Sequence, residues 1–356
     1  MKKKLLNQRS ALRYNAQHGY NAQVRPLCGA TSPLWLGLEC YSPLLQWKTA
    51  VKNVRLAVLC PALLCLLILM CQSSANAEFP KPVGEPLWGG GAPGVTASGV
   101  GDSPQLLITK VESDKPTAGV VILPGGGYGG HAIGHEGYDF AEWFSELGVT
   151  SAICTYRMRG KGNNGKGYGH PAPMMDAQRA IQTLRARAKE LNVDPNRIGV
   201  IGFSAGGHLC STVSTKFAEA KPESEDPIAR VSSRPNFSIL CYPVISFDKP
   251  WTHKGSQRNL LGSDPDPALV ASLSNESQVS KQTPPTFIFH TEADTVVPVE
   301  NALQYYAACK KHGVEAEMHV FPKGRHGVGL AKNLDGANQW PGLCKAWLGR
   351  IGMLEK

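Results

Sequence analysis

The sequence predicts an α/β fold: a mostly parallel central sheet flanked by helices on both faces. Three observations predict it. Short runs rich in Val, Ile, Leu and Phe alternate along the chain with helical patterns, the order of a parallel sheet built from strand–helix units. The runs are apolar throughout rather than at every second residue, as strands buried on both faces must be. Gly or Pro bounds each of them, and no internal repeat competes with this reading.

In chain order, strands are expected at 119–123, 150–156, 197–203, 237–242, 286–291 and 316–321. Helices are expected at 138–147, 175–191, 204–217, 299–312 and 337–349. In the second of these, Ala177, Ala180, Ile181, Leu184 and Ala188 fall on one stripe with charges opposite, the spacing of an amphipathic helix. Residues 78–114 form an irregular N-terminal segment, rich in Gly and Pro up to 104, and a catalytic domain is expected over 115–356. The polar, Pro-bearing stretch 246–282 reads as an insertion over one face of the sheet.

The 356 residues carry 37 Lys+Arg against 28 Asp+Glu, a net charge of +9. Residues 1–77 hold nine of the basic residues and a single acid, Glu39, so the rest is almost neutral. That balance excludes a general nucleic-acid footprint, and 42% hydrophobic residues exclude disorder. Within the first 77 residues, Lys52 and Arg55 precede an uncharged run at 56–71, and Ala75-Asn76-Ala77 follows it. A basic region, an apolar region and small residues at a cut describe a secretory signal. The run is shorter than the roughly 20 residues of a membrane span, and Pro61 interrupts it. An uncleaved anchor is the alternative. The expectation is therefore a secreted or periplasmic protein, cleaved near Ala77, with no stable membrane association afterwards. Residues 1–50 are polar and aperiodic, which places the expected translation start near Val51. Five cysteines lie beyond residue 77 (Cys154, Cys210, Cys241, Cys309, Cys344), an odd number with no CxxC spacing, so no disulfide scaffold or metal knuckle is expected.

Gly202-Phe203-Ser204-Ala205-Gly206 follows a strand and precedes a helix-compatible run, the context of a nucleophile elbow. A free serine needs a base and an orienting acid. His326, just after the last strand, is the candidate base. Asp294, just after the strand at 286–291, is the candidate acid, with Glu292 as its rival; His290 and His312 read as structural. After the first strong strand comes Pro124-Gly125-Gly126-Gly127-Tyr128-Gly129-Gly130. Acyl transfer creates an oxyanion that needs backbone N–H donors, and glycines let the backbone come close. Gly126, Gly127 and Ala205 are the candidate donors.

The same glycines match G-x-G-x-x-G, but the next strand ends in Tyr156-Arg157 with no acid for a ribose. Residues 160–167 nearly spell a phosphate-binding loop, but Gly167 stands where Ser or Thr is required, so they read as a mobile loop at the mouth of the site. His131, His135 and Glu136 lack further metal ligands at any recognisable spacing and read as polar contacts beside the glycine loop. Tyr128 is a candidate to stack on a sugar or aromatic ring, as are Trp88 and Trp251, with packing as the competing reading.

Together with Tyr156-Arg157, the helix start at 173–179, Gly207-His208, the stretch 290–298 and Gly324-Arg325-His326-Gly327, these motifs resemble the α/β-hydrolase superfamily over about 115–352. More narrowly they look like its secreted bacterial carbohydrate esterases, the acetyl xylan, acetyl and feruloyl esterases. Pro124 departs from the His of the lipase-type loop. The resemblance implies a serine esterase acting on polysaccharide or small ester substrates. Ser204 would be its nucleophile, His326 its base and Asp294 its orienting acid, with no cofactor and no metal. A lipase-like carboxylesterase, a peptidase or amidase of the same fold, and an inactive binding protein are the alternatives.

Overall fold

The structure is a computed structural model and describes residues 79–354; the secretory-signal reading falls on residues outside that range. One eight-stranded sheet organises the described chain. Its strands are β1 (Gly84–Pro86), β2 (Gln105–Thr109), β3 (Thr117–Leu123), β4 (Thr150–Cys154), β5 (Val193–Phe203), β6 (Ser238–Cys241), β7 (Thr286–Thr291) and β8 (Ala316–Phe321). The spatial order is β1-β2-β4-β3-β5-β6-β7-β8. The six strands expected from sequence are parallel, and β1 and β2 add an antiparallel edge.

β3, β4, β6 and β7 are buried at every position and largely apolar, because successive side chains point into two different cores. Val121, Leu123, Val200, Leu240 and Ile288 face one core with α2 (Ala172–Ala186), α3 (Ala205–Thr215) and the later α6 (Glu300–Lys311). Val120, Ile122, Ile201, Phe203, Phe287 and Phe289 face the other with α1 (Asp139–Glu146) and α7 (Trp340–Arg350). Trp340 stacks on Phe289 with ring centroids 4.7 Å apart and planes 8° from parallel. It locks the last helix to the strand that leads to Asp294.

Three details differ from the sequence expectation. The segment 78–114, expected to be irregular, contains both β1 and β2. The predicted helix at 175–191 starts earlier, with Pro173 in its first turn, where a missing N–H costs nothing, and breaks at Arg187. A single turn (Ala188–Leu191) follows, ended by Asn192 in the left-handed region at φ 52°. Finally, the insertion at 246–282 carries two short helices, α4 (Lys254–Leu261) and α5 (Pro267–Ser272). His253 caps α4 through Nδ1, which accepts from Ser256 N–H, and Asp266 caps α5.

The N-terminal segment is fastened by a buried ion pair. Arg157, following β4, donates from Nε and Nη2 to the two oxygens of Asp176 at 2.9 and 2.8 Å, and its backbone N–H donates to Asp176 Oδ2 at 2.8 Å. Neither side chain is exposed. Arg157 Nη1 also reaches the Pro93 carbonyl at 2.6 Å, and Trp88 Nε1 donates to Asp176 Oδ1 at 2.9 Å. Trp88 therefore serves packing, with the Arg179 guanidinium 4.8 Å from its ring centre. Among the described residues no helix is long and apolar enough to cross a membrane, and no group of three or more His, Cys, Asp or Glu is placed to hold a metal ion.

Candidate active site

β5 ends at Phe203, and Ser204 makes the turn into α3 with φ 53° and ψ −118°. A non-glycine residue holds this conformation only when its surroundings enforce it. Here the Ser204 N–H donates to the Cys241 carbonyl at 3.1 Å. Its own carbonyl accepts from His208 N–H and Val244 N–H at 3.1 and 3.0 Å. The flanking glycines are steric necessities. A Cβ on Gly202 would lie 2.1 Å from the Gly206 carbonyl oxygen, and one on Gly206 would lie 2.1 Å from that of Leu123.

Ser204 Oγ is 2.8 Å from His326 Nε2, and His326 Nδ1 is 2.6 Å from Asp294 Oδ2. Asp294 accepts two more hydrogen bonds at Oδ1, from Val296 and Val297 N–H at 2.9 Å each. Burial works against the charged carboxyl. The His326 hydrogen bond, the Val297 and Val296 N–H groups and the field of His326 outweigh it, holding Asp294 below the usual carboxylate range. An ionised Asp294 fixes the proton on Nδ1 and leaves Nε2 free to accept from the serine hydroxyl. Glu292 is exposed, and among the described residues no hydrogen bond or ion pair joins it to His326; its backbone N–H donates to the Phe321 carbonyl at 2.8 Å. His290 is buried and His312 caps the end of α6, both outside this chain of hydrogen bonds.

The glycine loop lies directly against the elbow: a Cβ on Gly125 would come within 2.9 Å of Ser204 Cβ and 2.8 Å of the Phe203 carbonyl oxygen. Gly126 and Gly127 have φ of 130° and 64°. Among the described residues, the N–H groups of Gly126, Gly127 and Ala205 donate to no protein acceptor, whereas those of Gly125, Gly129 and Gly130 are all engaged. The loop is pinned from three sides. Tyr156 OH donates to the Pro124 carbonyl at 2.6 Å, Asn259 Nδ2 to the Gly127 carbonyl at 2.8 Å, and Arg159 N–H to the Tyr128 carbonyl at 2.8 Å.

Tyr128 is corrected from substrate contact to core. Its side chain is only 1% exposed, wedged edge-on against Tyr156 and His208, and its hydroxyl is 2.8 Å from His208 Nδ1. No face of the ring is left for a sugar. His208 Nε2 is 2.8 Å from the Leu273 carbonyl, and burial pushes His208 down to about 4, so the ring is neutral with its proton on Nε2. The loop at 160–167 is likewise fastened rather than free: Asp102 Oδ1 accepts from Asn163 N–H at 2.6 Å and from the Tyr168 hydroxyl.

Two contributors carry no local signature in the sequence. Asn259, on the inserted α4, is one. The other is Glu136, which reads only as a polar neighbour of the glycine loop. It is 2% exposed and accepts from Gly125 N–H at Oε2 (2.8 Å) and from Tyr242 OH at Oε1 (3.0 Å). A concavity of 510 Å³ opens beyond the far end of the glycine loop. His131, Ile133, Thr155 and Lys161 line it, and Ser204 does not.

Residues 106–308 match the BD-FAE family model. The chain is 37% identical over 216 residues to an acetylxylan esterase of Xylanibacter ruminicola, covering 59% of this chain and 41% of that protein. It is 34% identical over 230 residues to endo-1,4-beta-xylanase B of Butyrivibrio fibrisolvens, covering 65% of this chain and 35% of that one. The chain thus spans about two fifths or less of the length of these curated relatives. Among solved structures it resembles an acetyl ester-xyloside bifunctional hydrolase from Caldicellulosiruptor lactoaceticus. The identity there is 42% and the TM-score 0.72, over 79% of this chain and all of that one. An esterase of Thermogutta terrifontis gives 26% identity and a TM-score of 0.62, over 78% and 98% of the two chains. The described fold is that of these α/β-hydrolase esterases, and the chain is a homologue of carboxylic ester hydrolases.

Proposed function

The chain belongs to the BD-FAE family of α/β-hydrolase type, and from that premise we propose that it is a serine esterase removing acetyl groups from xylan-type polysaccharide. The observation that carries the reading is the unbroken chain Ser204 Oγ–His326–Asp294 at 2.8 and 2.6 Å, beside three N–H groups with no protein acceptor among the described residues. The substrate class rests on the relatives, two of which are named for acetylated xylan or xyloside substrates.

Ser204 Oγ attacks the ester carbonyl while its proton passes to His326 Nε2. The carbonyl oxygen becomes an oxyanion held by the N–H groups of Gly126, Gly127 and Ala205, where one such donor is worth about 10²–10³ in kcat. Collapse breaks the ester C–O bond, and the departing sugar oxygen takes the proton from His326, leaving Ser204 acetylated. Water then gives a proton to Nε2 and attacks the acyl carbon. The second collapse returns that proton to Ser204 and releases acetate. Asp294 keeps Nδ1 protonated and balances the imidazolium in both halves.

Assay of the full chain on acetylated xylan, methyl ferulate and p-nitrophenyl esters of increasing length tests the reading. Acetyl release is expected to lead; preference for long acyl chains would transfer the protein to lipase-like substrates, and preference for ferulate would change the acyl group. Ser204→Ala is expected to lose about 10³-fold or more in kcat with an unchanged Tm, and undiminished turnover would overturn the nucleophile assignment. The pattern of residues 52–77 supports action outside the cytoplasm; sequencing an exported product should find its N-terminus near Glu78.

A further inference from the structure

We propose that Glu136 is a positioning residue, a single buried carboxylate that sets both the glycine loop and the His326 loop against Ser204. The inference deepens the esterase reading and rests on it. Glu136 Oε2 fixes Gly125 N–H, one residue before the proposed oxyanion donors. Oε1 accepts from Tyr242 OH, whose oxygen in turn accepts from Gly329 N–H at 3.1 Å, three residues beyond His326. The Tyr242 ring stands edge-on to the His326 imidazole at 5.3 Å, so the same tyrosine also walls the base. Tyr242 is held at φ 37°, a conformation a tyrosine adopts only under constraint. Three loops that are distant in sequence thus converge on one side chain.

Among the described residues the carboxylate has no Arg or Lys partner. His135 Nε2 stands 3.6 Å from Oε1, on a ring half open to solvent. The titratable groups facing Glu136 are His135, His326, Tyr242, Tyr156 and Cys241. Both of its oxygens accept and neither faces an acceptor, the pattern of an ionised carboxylate. Its negative field therefore falls on His326 when that ring becomes cationic in each half-reaction. Burial pushes the Glu136 carboxyl up, and the hydrogen bonds from Gly125 and Tyr242, together with the fields of His135 and His326, only partly offset this. Such a charge is maintained at a cost to the fold, which fits a role in the reaction better than one in stability.

Two variants test this, each assayed on p-nitrophenyl acetate with active sites counted by fluorophosphonate labelling. Glu136→Gln preserves the shape and removes the charge. It should lower kcat per labelled site about 10-fold with KM unchanged. It should also move the acidic limb of kcat/KM to lower pH, because protonated His326 loses a stabilising neighbour. Tyr242→Phe keeps the carboxylate's charge and removes the hydroxyl that joins it to Gly329; it should lower kcat about 3- to 10-fold with the limb in place. A purely structural Glu136 would lower Tm and the number of labelled sites but leave both kcat per site and the limb unchanged, which would overturn the proposal. If Glu136→Gln does not fold, Tyr242→Phe decides: kcat per site within twofold of wild type overturns it. A wild-type chain that neither labels at Ser204 nor turns over ester would instead sink the esterase reading, and this inference with it.

Discussion

Asp176 and Glu136 are both buried carboxylates, and they are built in opposite ways. Asp176 faces a guanidinium that meets it with two parallel N–H donors, plus a backbone N–H and an indole N–H. Its charge is cancelled where it stands. Glu136 receives one backbone N–H and one phenol, and lies within reach of His326. Its charge is screened by nothing comparable. The contrast separates two uses of buried charge: a closed pair ties chain segments together, whereas an open one leaves a field that a reaction can use.

The largest effect expected in breaking this contrast is at the closed pair. Asp176→Ala strands Arg157 without a counter-charge, and removing one partner of a buried pair destabilises by about 3–5 kcal/mol. Thermal unfolding should show a drop on the order of 10 °C, while kcat per fluorophosphonate-labelled site stays within twofold. A collapse of kcat with an intact Tm would erase the distinction from Glu136.

His208 sharpens the contrast, since it is a buried group kept uncharged. Its folded pKa of about 4 lies below the ordinary value of 6.5, so the unfolded chain takes up the proton first. The stability it contributes is fully present above pH 6.5 and is lost as pH falls towards 4, by about 3 kcal/mol in all. Melting curves between pH 7 and pH 4 should fall accordingly. His208→Gln, whose amide can still accept from Tyr128 and donate to Leu273, should flatten part of that fall; an unchanged slope would assign acid sensitivity elsewhere. A smaller effect is expected at Tyr128→Phe, which removes the hydroxyl on His208 Nδ1: about 1 kcal/mol of stability, with no change in KM for acetylated xylan. A raised KM would return Tyr128 to the substrate.

The inner parallel strands were readable because burial on both faces favours apolar residues throughout, and the sequence shows that directly. β2 escaped because an antiparallel strand next to the sheet edge needs fewer apolar residues, and Gln105–Thr109 follows directly on a Gly/Pro-rich stretch. Ser204, Asp294 and His326 were readable because each sits at the carboxyl end of a strand, so that strand order brings them together. The site's supporting groups were not. Glu136 acquires its role from Gly125, Tyr242 and Gly329, the last two more than 100 residues away. Tyr128 was misread for the same reason: its glycine-rich surroundings suggest exposure, and only the distant His208 and Tyr156 enclose it.

All five cysteines among the described residues are free and buried. The reactive form of cysteine is the thiolate, and burial opposes it at each of them, pushing every thiol up, Cys309 to about 12. Among the described residues, then, no disulfide is present for the redox state of the surroundings to act on. Forming the sheet and its two cores consumes no oxidant, and a reductant has no bond there to cut. The Tm of the domain should be the same with and without dithiothreitol, so the fold of the described residues holds equally in reducing and in oxidising surroundings.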